Sequence, residues 1–458
     1  MRFDVLIPIF AEGEELEFND RLAQDLKARG QDVAFLVTTP RVGARLRETH
    51  RDVFFVYEGL DRSASPPSST IWELERRYAL GSLRGFLFPQ SVYEWSQKID
   101  YLVRNAVHVF GYMERWSRDH EARFIVNHLG GEVVRRAASR VVTANGGRNA
   151  IFDFSVFPGR LVLAETEYGL RLGPLPEKRA ISSSEWQVAS EFLTKATRER
   201  KPYCPVSTLG FGARNFRGAI AAIRRRSDQR EVSISKLATE RLRKVARRVA
   251  SGRMVQRVQP DEKFIFFPLH LPNDSAITLR APQFVRQEEL IAYVAERALP
   301  WGVKLYVKPH LGGRDSFPLG MLARIRRTPN VRLIEPTINS HDLIPKAMAT
   351  LVINSTVGFE AILHRRPTVV VGSPFYAGHG LTVDVQDLGS LPDAIERSFG
   401  FEPSAEDVVR FLALYRRHTY EGVYGDVDGA NVRRVADALD SLVRPKDLIL
   451  PTELRGEG

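Results

Sequence analysis

The sequence predicts an α/β protein with two doubly wound domains, each built on a mostly parallel sheet, and a basic helical insert. Three observations carry this. At 458 residues the chain exceeds the ~250–300 at which a single core stops growing. Short apolar runs alternate with helix-period stretches near both ends of the chain, as in sheets covered on both faces. The alternation is clearest from Thr350 to Leu381. There Leu351-Val352-Ile353 reads as a strand, Asn354-Ser355-Thr356 as a hydroxyl-rich turn and Gly358 to Leu363 as a helix. Thr368 to Val371 is a second strand after Pro367, which completes one βαβ step.

Taken in order, Phe3 to Ile9 is a buried strand, followed by a glutamate-rich loop (Glu12, Glu14, Glu15) and a helix through Leu22 and Leu26. Gly30 ends that helix, and Asp32–Val37 and Val53–Tyr57 are further strands. No G-x-G-x-x-G follows the first strand, which argues against a dinucleotide-dependent dehydrogenase. Ser63 to Ser69 is a polar, proline-containing loop. A long helix is predicted from about Val92 to Arg118, then the strand Phe124–Asn127 and a helix through Val134, Ala138 and Val141. Residues 172–260 fit no simple sheet. From Lys263 a second series of strands begins: Phe264–Phe267, Val303–Val307, Val331–Ile334, Leu351–Ile353 and Thr368–Val371. After Asp387 the chain reads as mostly helical. Asp426-Val427-Asp428 has the form of a metal-binding D-x-D, but Gly429 and a helix follow, so Asp428 is read as a helix N-cap. The expected domains are 1–260, 261–400 and a closing helical segment, 401–458, that packs back across them.

The apolar share of 43% is that of an ordinary globular protein. No window approaches the ~18 consecutive apolar residues of a membrane span, and no signal peptide opens the chain. Cys204 stands alone, so neither a disulfide framework nor a thiolate metal cluster is expected, and a reducing cytoplasm is the natural setting. The net charge of +11 is concentrated: Arg214 to Arg257 holds 14 Lys/Arg against 3 Asp/Glu, and the remainder is balanced. Such a segment suits a polyanion: an anionic lipid surface, an acidic glycan or, less well, nucleic acid. Within it Ala238, Leu242, Val245 and Val249 recur at helical spacing among Arg241, Arg243, Lys244, Arg247 and Arg248. Two readings stand: a helix lying on a membrane, or one docked on its own domain with solvated arginines. Few aromatics are interleaved, which counts against a single-strand nucleic-acid groove.

Several polar residues follow strands, at the carboxyl edge where open α/β sheets bind ligands. The turn Asn354-Ser355-Thr356 opens a helix, and free N–H groups with two hydroxyls suit an anion; the plain alternative is a cap. Lys308 and His310 follow one strand, Glu335 another, and Asp274 stands beyond Phe264–Phe267, either as a reactive carboxylate or as a turn residue. Tyr376 and His379 lie on a loop between Gly372 and Gly380 that could cover a ligand. In the N-terminal half, Asn127, His128 and Glu132 follow a strand; His128 is read as an acceptor contact or as a hydrogen-bonded loop histidine.

Asn354 to Thr382, NSTVGFEAILHRRPTVVVGSPFYAGHGLT, resembles the signature of the bacterial capsule polysaccharide synthesis proteins. These are GT-B glycosyltransferases that include the retaining β-Kdo transferases. Pro268 to Ile277 (PLHLPNDSAI) and Lys304 to His310 (KLYVKPH) are similar to two further motifs of that family, in the same order. The resemblance covers about residues 262–390; Leu311 follows His310 where the family often has His-Pro.

What the resemblance implies is a GT-B architecture of two Rossmann-like domains facing a cleft. It also implies transfer of Kdo from CMP-Kdo, with retention and without metal or other cofactor, to a lipid-linked or glycan acceptor. Asp274 and His310 would be catalytic. The donor would be bound by Lys308, Asn354, Ser355, Thr356, Gly358, Glu360, Glu335, Tyr376 and His379. His128 and Glu132 would stand on the acceptor side, where Asp153 is the acidic residue available near a segment of the family. The expected partners are a nucleotide sugar, the acceptor and an anionic inner-membrane surface, not nucleic acid. A transferase using another nucleotide sugar, and a silent capsule assembly or export component, are the alternatives.

Overall fold

A computed structural model describes residues 1–10, 12–60, 66–93, 99–201, 247–311 and 316–443. Cys204, and the basic segment from Arg214 through residue 246, lie outside the described residues. The strands, in chain order, are β1 (Arg2–Ile9), β2 (Val33–Val37), β3 (Val53–Phe55), β4 (Glu121–His128), β5 (Arg148–Phe154), β6 (Arg160–Ala164), β7 (Phe264–Pro268), β8 (Lys304–Lys308), β9 (Val331–Leu333), β10 (Ala349–Val352), β11 (Thr368–Val370), β12 (Val383–Asp384) and β13 (Thr419–Glu421). They form a 7-stranded and a 6-stranded sheet, each in its own compact unit.

The first unit comprises residues 1–170 and 418–458. Its strand order is β13-β6-β5-β4-β1-β2-β3, parallel from β5 to β3. The strands are apolar on both sides because helices cover both. On one face Val5, Ile7 and Phe35 pack with Leu16, Phe18 and Leu22 of helix Glu14–Ala28 and with Val435 and Leu439 of helix Gly429–Val443. On the other, Leu6, Leu36 and Ile125 meet Phe110 and Met113 of helix Ile99–Asp119 and Val134 and Ala138 of helix Val133–Ala144. Of the long helix expected over Val92–Arg118, the described residues show Ile99–Asp119; helix Leu83–Tyr93 precedes it, and residues 94–98 lie outside the described residues. Strands β5 and β6 form an antiparallel hairpin that turns at Gly159, whose φ of +71° an L side chain would resist.

The second unit is residues 171–417, with strand order β12-β11-β10-β7-β8-β9, all parallel. Ile265, Phe267, Leu305, Val307 and Leu351 form one covered face, and Phe264, Phe266, Tyr306 and Ile334 the other.

The unit boundary differs from the expected 260/261. Helix Ser183–Glu199 opens with a capping box, in which Ser182 Oγ accepts from Glu185 N and the Glu185 carboxylate accepts from Ser182 N. Arg417 then grips Glu185 at 2.7 and 3.0 Å and holds its carboxyl down at about 2, so residues from 171 belong to the second core. The closing segment is split likewise: helix Ala405–Arg417 stays with the second unit, while β13 and helix Gly429–Val443 return to the first. Asp428 caps that last helix, its Oδ2 accepting from Ala430 N and Asn431 N at 3.0 and 3.1 Å.

Candidate functional site

The strand order fixes where each sheet can bind. In the second unit the chain runs β7, β8, β9 to one side, then returns to lay β10 on the other side of β7. The carboxyl ends of β7 and β10 therefore open at a topological switch point, the usual ligand crevice of such sheets. His270 follows β7 and is buried, its main-chain N and O clamped by the amide of Gln287 at 2.8 and 3.0 Å. Its Nε2 accepts the Asn354 N–H at 3.2 Å, which joins the loop after β7 to the loop after β10. Burial keeps this imidazole neutral, against the pull of Asp274, so its proton sits on Nδ1. Asn354 completes the joint: Nδ2 donates to Ala276 O at 2.7 Å and Oδ1 accepts from Ser373 N at 2.8 Å.

Asp274 stands at the mouth of this joint. Its Oδ1 accepts from Ala276 N at 2.9 Å, capping the one-turn helix Ser275–Thr278. The capping role read as an alternative in the sequence is thus real, and it occupies one oxygen of two. From β8 come Lys308 and His310. Burial lowers both pKa values; Glu360 opposes the shift at Lys308, and Lys308 adds to it at His310 while Asp274 resists. From β10 comes helix Thr356–Leu363, capped by Ser355 Oγ, which accepts from Val357 N at 3.2 Å. Glu360 lies 2% exposed on that helix, with His341 Nε2 3.8 Å away. Glu335 follows β9, half-buried.

Two donor-side expectations are corrected. Tyr376 does not cover a ligand: it is fully buried, its hydroxyl donates to Ser355 O at 2.5 Å, and burial raises its pKa well above the ordinary value. Gly358 is explained by that same ring, since a Cβ there would lie 2.2 Å from the Tyr376 hydroxyl. Both residues therefore shape the helix start rather than touch a ligand. The loop above is pinned by Asp384, which accepts from Gly378 N at 2.7 Å and Thr382 Oγ1 at 2.6 Å. His379 remains half-buried on it, its Nδ1 without a partner among the described residues.

The first unit has its own switch point, between β1 and β4. His128 ends β4, stacks on Tyr424 at 5.3 Å between ring centres and shares a 3.3 Å hydrogen bond with its hydroxyl. Burial, helped by Arg135, drives its pKa down to about 3, so it is neutral at physiological pH. Arg135, barely exposed, donates to Glu15 at 2.6 Å, lies 3.4 Å from Glu132 and covers the Phe10 ring at 4.0 Å. Glu132 is thereby tied into an ion-paired cluster. Asp153 accepts the N–H of its neighbour Phe154 at 2.8 Å. The central group here, Arg135, carried no motif in the sequence; an arginine within an apolar helix stripe was the available signal. His270 was likewise missed, although it sits inside the quoted PLHLPNDSAI.

In the basic segment only residues from 247 on are described. Val249, the last member of the expected apolar stripe, is 56% exposed. No helix among the described residues is long and apolar enough to cross a membrane.

Residues 182–390 match the family model described as capsule polysaccharide biosynthesis protein, a span that includes β7 to β12 and the crevice just described. Protein FixF of Sinorhizobium fredii is 28% identical over 185 residues, 40% of this chain and 44% of that protein. Capsule polysaccharide modification protein LipA of Neisseria meningitidis serogroup B is 30% identical over 166 residues, 36% of this chain and 22% of LipA. The match thus spans less than half the length of either relative. Among solved structures, Thermosulfurimonas dismutans KpsC, a β-Kdo 2,4 transferase, aligns at a TM-score of 0.41 and 16% identity over 70% of this chain and 87% of that one.

Proposed function

We propose that this chain, whose residues 182–390 carry the capsule polysaccharide biosynthesis signature, is a glycosyltransferase that binds its nucleotide-sugar donor at the β7/β10 crevice. The observation that supports it is the convergence there of Asp274, Lys308, His310 and the capped helix start at Ser355 on one carboxyl edge. A lysine and a helix N-terminus with free N–H groups suit a phosphodiester and do the work that a metal does elsewhere. The donor we favour is CMP-Kdo, and the transfer we favour is retaining.

In the first step an Asp274 carboxylate oxygen, Oδ2 being the one outside the cap, attacks the anomeric carbon. The bond to the phosphate oxygen breaks and its electron pair leaves with CMP. In the second step the acceptor hydroxyl attacks the same carbon and expels the carboxylate, so configuration is retained. The acceptor's proton passes to a base, and His310, kept neutral by burial, suits that role. By family analogy, Glu360 is assigned to the nucleotide's ribose and the main chain at Glu335 to its base. The basic segment 214–257 is proposed to hold the protein on an anionic membrane. Salt-reversible cosedimentation with phosphatidylglycerol vesicles tests this, and equal recovery on neutral vesicles would remove it.

The decisive test is to incubate the pure chain with CMP-Kdo, other CMP-sugars and UDP-hexoses and follow nucleotide release. CMP release from CMP-Kdo supports the reading; release from another donor alone changes the sugar. Release from none indicates a binding component without transfer.

A further inference from the structure

A second pocket lies wholly inside the first unit, under helix Val133–Ala144 and beside β4 and β5, and opens to solvent. Asn127, only 4% exposed, lines it; its Nδ2 donates to Ser139 Oγ at 2.9 Å, while Oδ1 has no partner among the described residues. Asn149 lines it from β5; its Nδ2 donates to Glu165 O at 3.1 Å, and its Oδ1 is likewise buried and unpartnered. Since Glu165 O is a carbonyl, the Asn149 amide cannot be turned over, and its free end is an acceptor. Buried amide oxygens without partners are destabilising unless something donates to them.

The charges around them are already matched. Arg136 holds Glu167 at 2.7 and 3.0 Å, and Arg140 reaches the same carboxylate at 3.3 Å. Burial alone would raise the Glu167 carboxyl, but the two guanidinium groups outweigh it and hold it below its ordinary range. An anion entering the pocket would meet Glu165, Glu167 and two amide oxygens; a cation would meet Arg136 and Arg140. An apolar ligand would leave the amide oxygens unsatisfied. A neutral molecule rich in hydroxyl groups fits all of these, donating to the amides and accepting from the guanidinium groups. Tyr168, 50% exposed at the rim, offers a ring face of the kind on which sugar C–H groups rest.

We infer that this pocket is a subsite for one neutral sugar unit of the acceptor glycan. Its place as an acceptor subsite rests on the transferase reading above; its preference for a neutral sugar does not.

Saturation-transfer NMR on the full chain tests it, with methyl glucoside and N-acetylglucosamine as probes and inorganic phosphate as competitor. The expected result is a neutral sugar held with Kd on the order of 1–10 mM. Asn149→Ala and Arg140→Ala, both at half-buried positions, should each weaken it about fivefold or more. Tyr168→Ala, at an exposed ring, should weaken it too and guards against misfolding of the other two. Absence of transfer from both sugars at those concentrations overturns the inference. So does transfer unchanged in all three variants, or displacement of the sugar by phosphate. Binding of CMP and UDP, followed in parallel by calorimetry, reports the other unit. Sugar binding without binding of CMP or UDP removes the transferase reading and leaves the subsite; nucleotide binding without sugar binding does the reverse.

Discussion

The two sheets place their switch points by the same rule and furnish them in opposite ways. In the first unit the charged residues at the ends of β1 and β4 pair with one another: Arg135 is shared by Glu15 and Glu132, and His128 is stacked and neutral. In the second, the ends of β7 and β10 are joined by bonds between the side chains of His270 and Asn354 and neighbouring main-chain groups. Asp274 keeps an oxygen outside its cap, and Lys308 and His310 have their protonated forms disfavoured by burial. Topology therefore decides where a crevice lies, and side-chain pairing decides which of its charges are taken up by one another.

That contrast can be broken most sharply at Asp274. Asp274→Asn keeps a capping oxygen but no nucleophile, so sugar transfer should fall by roughly 10³-fold or more with CMP affinity retained. Near-normal turnover would reduce Asp274 to a cap. Next in size is Arg135→Met, which removes the guanidinium that Glu15 and Glu132 share and should destabilise the first unit by about 1.5–3 kcal/mol. Hydrogen exchange in helix Val133–Ala144 reads this directly, and unchanged protection there would mean that the ion pairs are incidental. His310→Ala should do the opposite, weakening CMP binding by ~1–3 kcal/mol in calorimetry with unfolding little altered.

The histidines sharpen the contrast through pH. His128 titrates at about 3 when folded and near 6.5 when unfolded, so the unfolded chain takes the proton first as pH falls. Its contribution is complete above pH ~6.5 and lost progressively toward pH 3, at up to ~1.4 kcal/mol per pH unit. His128→Gln should therefore flatten the pH dependence of exchange in the first unit between about pH 6 and 4 and leave the second unit's slope in place. A slope unaltered in the first unit would show that the imidazole is not held neutral there. The smallest effect is expected at Tyr376→Phe, which removes one donor to Ser355 O and leaves the Gly358 N–H in place, at a cost of about 0.5–1.5 kcal/mol. CMP affinity should hardly change; a large loss would return Tyr376 to the donor site.

Much of the second crevice was legible because its parts are local. Ser355 announces itself as a cap by position before a helix, Lys308 and His310 by following an apolar strand, and Asp274 by turn composition that a cap and a nucleophile share. What was not legible was direction. A tyrosine between glycines looks like a lid, and only packing shows that its ring turns inward and that Gly358 is small to admit it. Helix Ser183–Glu199 is the reverse case: its capping box was present in the sequence, but its side of the boundary depends on Arg417, far along the chain.

The sequence by itself determined the class of the protein. Fully apolar strands, helix-period intervals, caps and breakers are set by neighbours within a few residues, and they require covered parallel sheets with polar groups at one edge. Tertiary structure alone decided that β10 returns beside β7 and that β13 and the last helix close the first sheet. It also decided that His270 meets Asn354 across 84 residues of chain. Those outcomes rest on hydrogen bonds and shape fits between distant segments, and no local periodicity encodes which distant segment will satisfy a buried donor.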